Sequence, residues 1–296
     1  MSGAAPAVVH IIGASGRSGA ALARALRADG IGVVPVVRDA ARWRAHGIEG
    51  GPRVADLTDA ASLRAALGDA SHVVSCAHAR HAGAILAAAP AGATFVFLGS
   101  TRKFTRWPDA HGNGVLAGEA AFLGSGRRGV MLHPTMIYGA EGENNVQRLA
   151  SLLRRLPVVP LPAGGRALVQ PIHQDDVTAS LLAALRRPWQ GPQTLVIAGP
   201  ASITYADFVR AVAAAAGLRP PRILPVPAPA LRLAAGLARL VPGMPAVGGD
   251  EIRRLMEDKA FDIGPMIEGL AVRPIGLADG LRRLTLRKTP VSAHPG

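Results

Sequence analysis

Short apolar runs of strand length alternate along the chain with stretches in which leucine and alanine recur at helical spacing. Ala7 to Ile12 is a run of mostly apolar, β-branched residues, long enough for one buried strand. After Gly13-Ala14-Ser15-Gly16-Arg17-Ser18-Gly19 the spacing becomes helical over 20–27, with Leu22 and Leu26 at i and i+4. Gly30 closes that helix, and 32–37 resumes a strand. A short helix over 40–46 leads to a third strand at 53–55, which ends at Asp56-Leu57. Thr58 or Asp59 caps a helix with Leu63 and Leu67 on one face. Strands at 72–77 and 94–98 flank a helix that runs to Ala89. Five such β-α repeats predict a doubly wound parallel sheet with right-handed crossovers and its ligand at the strands' C-terminal ends.

The pattern divides the chain at residue 138. Residues 1–138 read as the dinucleotide-binding domain. Residues 139–286 mix sheet-completing segments (about 166–198) with a small, interleaved C-terminal substrate lobe, and 287–296 is a tail. A helix opens at 141–145 and continues to Leu156. A Pro/Gly-rich loop over 157–165 follows, with Gly164-Gly165 beside the substrate mouth, and then a strand at 167–170. Asp175-Asp176 caps a long apolar helix, and a strand from Thr194 precedes a helix over 205–216. The stretch 227–242 is apolar apart from Arg232 and Arg239. It covers the chain's own substrate pocket or meets a partner protein or membrane surface, with burial against its own lobe favoured.

Composition narrows the class. Net charge is +13, carried almost wholly by arginine. The arginines are scattered rather than gathered, and aromatics to stack bases are few, so nucleic acid is not the expected partner. One cysteine, Cys76, excludes an intrachain disulfide and gives no metal spacing. His78 and His81 lack a companion carboxylate or thiol, so no metal site is expected, and one of the two is expected to line the ligand's edge at the strand end. The first residues carry no basic leader, and the charge-free stretch 82–101 is broken at Pro90-Ala91-Gly92, which makes the expected location cytoplasmic.

The chemistry begins at the glycine turn. Gly13 permits a tight turn, Gly16 lets the backbone approach a diphosphate, and Gly19 lets helix and strand pack closely with the helix amides facing the anion. Ser15 and Arg17 lie within that turn. Arg38 directly follows the second strand, where a planar, permanently charged fork suits a ribose 2′-phosphate. NADP(H) is therefore favoured, while Asp39 keeps NAD(H) open. Asp56 stands at a strand end, either against an adenine amino group or as a solvated loop acid.

In this order the motifs resemble the short-chain dehydrogenase/reductase superfamily, of the extended or atypical kind. That branch is epimerase/dehydratase-like and includes the nucleotide-binding accessory subunit of respiratory complex I. The resemblance rests on Gly13/Gly16/Gly19, Asp56-Leu57, Gly99-Ser100-Thr101, Leu116 to Glu119 and His133 to Gly139, with His133 where arginine is usual. It continues through Pro171 to Val177, Phe261-Asp262 and Leu277 to Leu281. It implies a Rossmann domain and cofactor contacts at Gly13, Ser15, Gly16, Arg17, Gly19, Arg38, Asp56, Leu57, Ala77, His78, Ser100, Pro134 and Thr135. Ser100 or Thr101 would orient the substrate, and the superfamily's common helix packing raises a homodimer.

One feature of the resemblance fails. The family's proton-passing tyrosine and the lysine four residues later fall at His111 and Val115. A phenol needs a neighbouring cation to work near neutrality. Three residues are candidates to replace the pair. His111 titrates in the right range unless it only sits in a polar loop. Lys103 reaches the nicotinamide ribose or substrate unless it is solvated, and Tyr138 faces the pocket unless it packs. Two functions remain. One is an NADP(H)-dependent oxidoreductase acting on an unknown small-molecule substrate, a small or nucleotide-linked carbonyl, with a non-standard proton donor. The other is a catalytically silent dinucleotide-binding accessory subunit or redox-sensing regulator.

Overall fold

The computed structural model describes residues 6–140, 145–231 and 249–284. They fall into two compact units whose segments alternate along the chain. The first is drawn from Met1–Gly142, Pro171–Pro200 and Phe261–Ile275, and the second from Glu143–Gln170, Ala201–Ala260 and Gly276–Gly296.

In the first unit, β1 (Val8–Ile12), α1 (Arg17–Ala28), β2 (Gly32–Val37), α2 (Ala40–Arg44) and β3 (Arg53–Val54) come first. Then follow α3 (Ala60–Leu67), β4 (His72–Ser75), α4 (Ala82–Ala88), β5 (Thr94–Leu98), α5 (Ala110–Gly124), β6 (Gly129–Pro134) and β7 (Ile137–Tyr138). The strands β1 to β6 and a later strand (Pro192–Ile197) form one seven-stranded sheet, and every neighbouring pair in it is parallel. From the later strand inward the order is later strand, β6, β5, β4, β1, β2, β3. The chain is a doubly wound α/β fold of the Rossmann type.

Alternation along each strand sends side chains to opposite faces, and each face has its own core. Ile11, Val74, Val96 and Leu132 pack with Leu22 and Leu26 on one side. Ile12, Val73, Phe95, Phe97 and Met131 pack with Leu63, Leu67 and Phe122 on the other. Strands covered on both faces must be apolar at nearly every position, which is why the expected runs are continuous. The order reverses between β1 and β4, so their C-terminal ends part to leave a crevice.

The second unit contains α6 (Asn145–Leu153), β8 (Val158–Pro162) and β9 (Leu168–Val169). The chain re-enters the first unit for β10 (Ile172–His173), α7 (Gln174–Arg186) and β11, the later strand named above. It then adds β12 (Ile203–Thr204), α8 (Tyr205–Ala215) and β13 (Arg222–Val226). The expected loop at 157–165 is in part a strand, because β8 pairs in parallel with β13 from Val158↔Arg222 to Pro162↔Val226. Pro160 and Pro162 disguise it in the sequence, but a two-stranded sheet has free edges on which missing N–H groups cost little. Gly164 and Gly165 turn the chain with φ +69 each. A Cβ on Gly165 would lie 2.5 Å from Leu161 Cδ1, so close packing accounts for that glycine.

Several expectations lie outside the described residues: the helix opening at 141–144, residues 232–242 of the apolar stretch, and the tail 287–296. Among the described residues no helix is long and apolar enough to cross a membrane.

Candidate functional site

The glycine turn is shaped by its backbone, with the His46 ring 3.0 Å from Ser15 O as a side-chain support. Gly13 takes φ +74 and its N–H donates to Val36 O, while Gly16 N–H closes the turn onto Gly13 O at 2.9 Å. A Cβ on Gly19 would stand 2.3 Å from Gly13 O, so only glycine lets α1 approach this closely. Gly16 caps α1 without a side chain, which leaves the first helix amides no side-chain acceptor. Gly13 also lies against the end of β4, where a Cβ would be 3.1 Å from Ala77 N.

Beside the turn opens a pocket of about 390 Å³. Its lining unites six of the expected contacts, Gly13, Ser15, Arg38, Asp56, Leu57 and Ala77, and adds Asp39, Arg42, Arg80 and His81. Asp39 is occupied locally: its Oδ1 accepts from Ala41 N at 2.8 Å and Arg42 N at 3.3 Å, capping α2. The Asp56 carboxylate accepts from Thr58 N at 2.8 Å and Thr58 Oγ1 at 2.7 Å. Those bonds hold its carboxyl below the usual range, with Arg38 and His81 acting the same way. Burial and Arg80 push the His81 imidazole down, against Asp56. Arg17 is exposed at the start of α1 and is not part of the described pocket wall. His78 turns toward α5 instead: its ring meets His111 edge-on at 4.5 Å, and its Nδ1 accepts from Arg80 N.

A second group of side chains gathers at the ends of β5 and β6. Ser100 caps the 3-10 turn Thr101–Phe104, its Oγ accepting from Arg102 N at 3.1 Å. Thr101 Oγ1 donates to Pro134 O at 3.2 Å, and Thr135 N–H, buried beyond β6, donates to Ile197 O. Lys103 is not solvated. Its side chain is 8% exposed, and Nζ lies 2.5 Å from Glu119 Oε2 and 3.3 Å from His133 Nε2. His133 is 1% exposed and places Nε2 2.9 Å from the same Glu119 oxygen. Ser100 N–H donates to its Nδ1 at 3.2 Å. Burial, reinforced by Lys103, pushes the imidazole down to about 4 against the pull of Glu119. A Cβ on Gly99 would be 2.4 Å from Nδ1, so the ring fits only because residue 99 is glycine.

The remaining candidates are placed as follows. His111 lies on α5 rather than in a loop, because Asp109 Oδ1 accepts from Gly112 N and starts the helix earlier. It is exposed. Val115, at the lysine position, is 1% exposed within the core, where a charge would be costly. α5 rides so close to the 3-10 turn Ala79–His81 that a Cβ on Gly118 would meet Ala79 O at 2.0 Å. Tyr138 is buried, with its ring edge-on to His173 at 5.2 Å. Burial pushes the Cys76 thiol up to about 12, which disfavours the thiolate. Among the described residues no cluster suited to a metal occurs.

Arg42, Arg80, Glu119 and His133 were not among the expected site residues, and of the pair His78 and His81 it is His81 that lines the pocket. Arg42 follows Arg38 by four positions on the predicted helix. Glu119 and His133 stood inside recognised motifs, and nothing local pointed them at Lys103.

A nicotinamide dinucleotide fits these residues: a turn without Cβ atoms at Gly13, Gly16 and Gly19, uncapped helix amides, and a basic pocket at the ends of β2 and β4. No protein-family model matches the chain. It is 29% identical to the ceramide reductase of Caulobacter vibrioides, over 92% of each chain. Its structure is similar to the NADPH-dependent quinone oxidoreductase QOR2 of Escherichia coli in complex with NADPH (TM-score 0.71, 18% identity, 92% of this chain and 98% of that one). It is also similar to MoeE5 in complex with UDP-glucose and NAD (0.67, 19%, 92% and 95%). A third likeness is to a short-chain dehydrogenase/reductase superfamily protein of Agrobacterium tumefaciens with bound NAD (0.61, 18%, 89% and 96%). The chain has the fold of the short-chain dehydrogenase/reductase superfamily.

Proposed function

We propose that the chain is an NADP(H)-dependent oxidoreductase of the extended or atypical short-chain dehydrogenase type that works without the tyrosine–lysine pair. The observation that carries this reading is the pocket, in which Arg38, Arg42 and Arg80 converge while Asp39 is engaged in capping α2. Ribose hydroxyls would be held by a free acid at the end of β2, whereas a 2′-phosphate is held by guanidinium groups. The turn amides hold the diphosphate, and Asp56 accepts from the adenine amino group. When bound, the nicotinamide supplies or accepts a hydride at C4. Ser100 or Thr101 orients the substrate oxygen, and Lys103 is the nearby cation that stabilises charge developing there. His111, exposed and beside His78, is the alternative proton donor, and Tyr138 acts through packing.

The likeness to a ceramide reductase favours a ceramide-class lipid as substrate. A hydride donor acts on a carbonyl, so the form reduced would carry a ketone where ceramide has a hydroxyl. The lone cysteine fits a reducing, cytoplasmic setting. Fluorescence titration tests the cofactor half: NADPH should bind at least about tenfold more tightly than NADH, and Arg38→Ala should erase that difference. Equal affinity for the two in the unaltered protein would refute the assignment.

The second reading, a dinucleotide-binding subunit without chemistry, is favoured by the buried Val115 at the lysine position. It predicts tight NADPH binding with no hydride transfer to any carbonyl.

A further inference from the structure

We infer that Glu119 and His133 are positioning residues that lock the Lys103 ammonium in register with Ser100, so that a cation borne on the β5–α5 connection replaces the helix lysine. This rests on the reading of Lys103 given above. The geometry fixes the ring's tautomer. Ser100 N–H donates to His133 Nδ1, so Nδ1 carries a lone pair and the one proton of the neutral ring sits on Nε2. That proton points at Glu119 Oε2, 2.9 Å away. His133 Nε2 therefore cannot accept from Lys103 at 3.3 Å, and the two donors converge on one carboxylate oxygen.

The result is an unbroken chain from the Ser100 amide through the imidazole and the Glu119 carboxylate to the Lys103 ammonium. It joins three elements: the turn after β5, α5 and β6. A lone buried ion pair would hold Lys103 against Glu119 but would leave both indifferent to Ser100. The neutral ring supplies that link without adding a third charge. Gly99 belongs to the device, since any Cβ there would displace the ring. Two of the three side chains are nearly closed to water, so the ammonium's position is set by its partners rather than by solvent.

The test uses the full chain, NADPH and a short-chain 3-keto ceramide in detergent micelles. Glu119→Gln and, separately, His133→Gln should lower kcat about a hundredfold while leaving the NADPH Kd within about twofold. Lys103→Arg should keep more activity than Lys103→Ala. Independently of turnover, 15N spectra of labelled histidine should place the His133 proton on Nε2 at pH 7. Variants that melt lower yet turn over normally per folded molecule would reduce the cluster to a structural ion pair and overturn the inference. So would a His133 proton on Nδ1. If the unaltered protein transfers no hydride to the ketone while the ring keeps its Nε2 proton, the functional reading falls and takes the role of Lys103 with it.

Discussion

Two regions at the strand ends of the first unit are built by different means. Around β1, β2 and β4 the site is made by backbone: glycines at fixed spacing, helix amides and a tight turn, with arginines added at the rim. Around β5 and β6 it is made by side chains, Lys103, Glu119 and His133, which come from three elements and meet only in the folded chain. The first region tolerates almost no change of shape and takes its identity from local sequence. The second can be assembled from different points of the scaffold, because a cation can reach one place from several of them, but once assembled it depends on each of its members. A fold can thus keep its cofactor grip while its chemistry is rebuilt.

The comparison breaks most sharply at Gly19. A methyl group there meets a backbone carbonyl, which cannot move aside, so Gly19→Ala should cost about 3 kcal/mol of stability and abolish tight NADPH binding. Thermal denaturation and fluorescence titration measure both. A neutral outcome would mean that the turn is not held by close packing.

The second region is distinguished by acid sensitivity. The folded-state pKa of His133 lies near 4, below the unfolded value of about 6.5. The unfolded chain therefore takes up the proton first. The stability contributed is complete above about pH 6.5, declines as pH falls toward 4, and is level below that. It amounts to about 3 kcal/mol. Buried His10 and half-buried His72 are shifted in the same direction, so His133→Gln should flatten the dependence of Tm on pH between 6.5 and 4 without removing it. An unchanged slope would mean that the ring is protonated in the folded chain.

The smallest effect sharpens the first region. Asp39→Asn keeps an acceptor at the α2 cap, so it should cost no more than about 1 kcal/mol. It should also leave the ratio of NADPH to NADH affinity unchanged. A marked loss of NADH affinity would show that the carboxylate reaches the ribose after all.

What the sequence made legible follows the same division. β1, the glycine turn and α1 were readable because each depends on neighbours a few positions away. The pocket residues Arg38, Asp56 and Leu57 stand at strand ends that the repeat itself locates. β8 was hidden, since Pro160 and Pro162 argue against a strand unless its edges are known to be free. The exchange of His78 for His81 in the pocket wall depends on one 3-10 turn, which periodicity does not resolve. Lys103 was legible as a candidate, but the choice between a site residue and a solvated one was not, because its partners lie 16 and 30 positions away. Glu119 and His133 were visible as motif positions but not as each other's partners.

The central claim is that an intact NADP(H) grip serves a reductase whose cation is Lys103. The most direct measurement offers the protein NADPH carrying deuterium on one or the other face of nicotinamide C4, together with the 3-keto ceramide. Mass spectrometry then follows label into product for the unaltered chain and for Lys103→Ala at matched NADPH occupancy. The account predicts transfer from one face only, and its loss in the variant. Tight NADPH binding with no transfer from either face would contradict it and leave a binding subunit in its place.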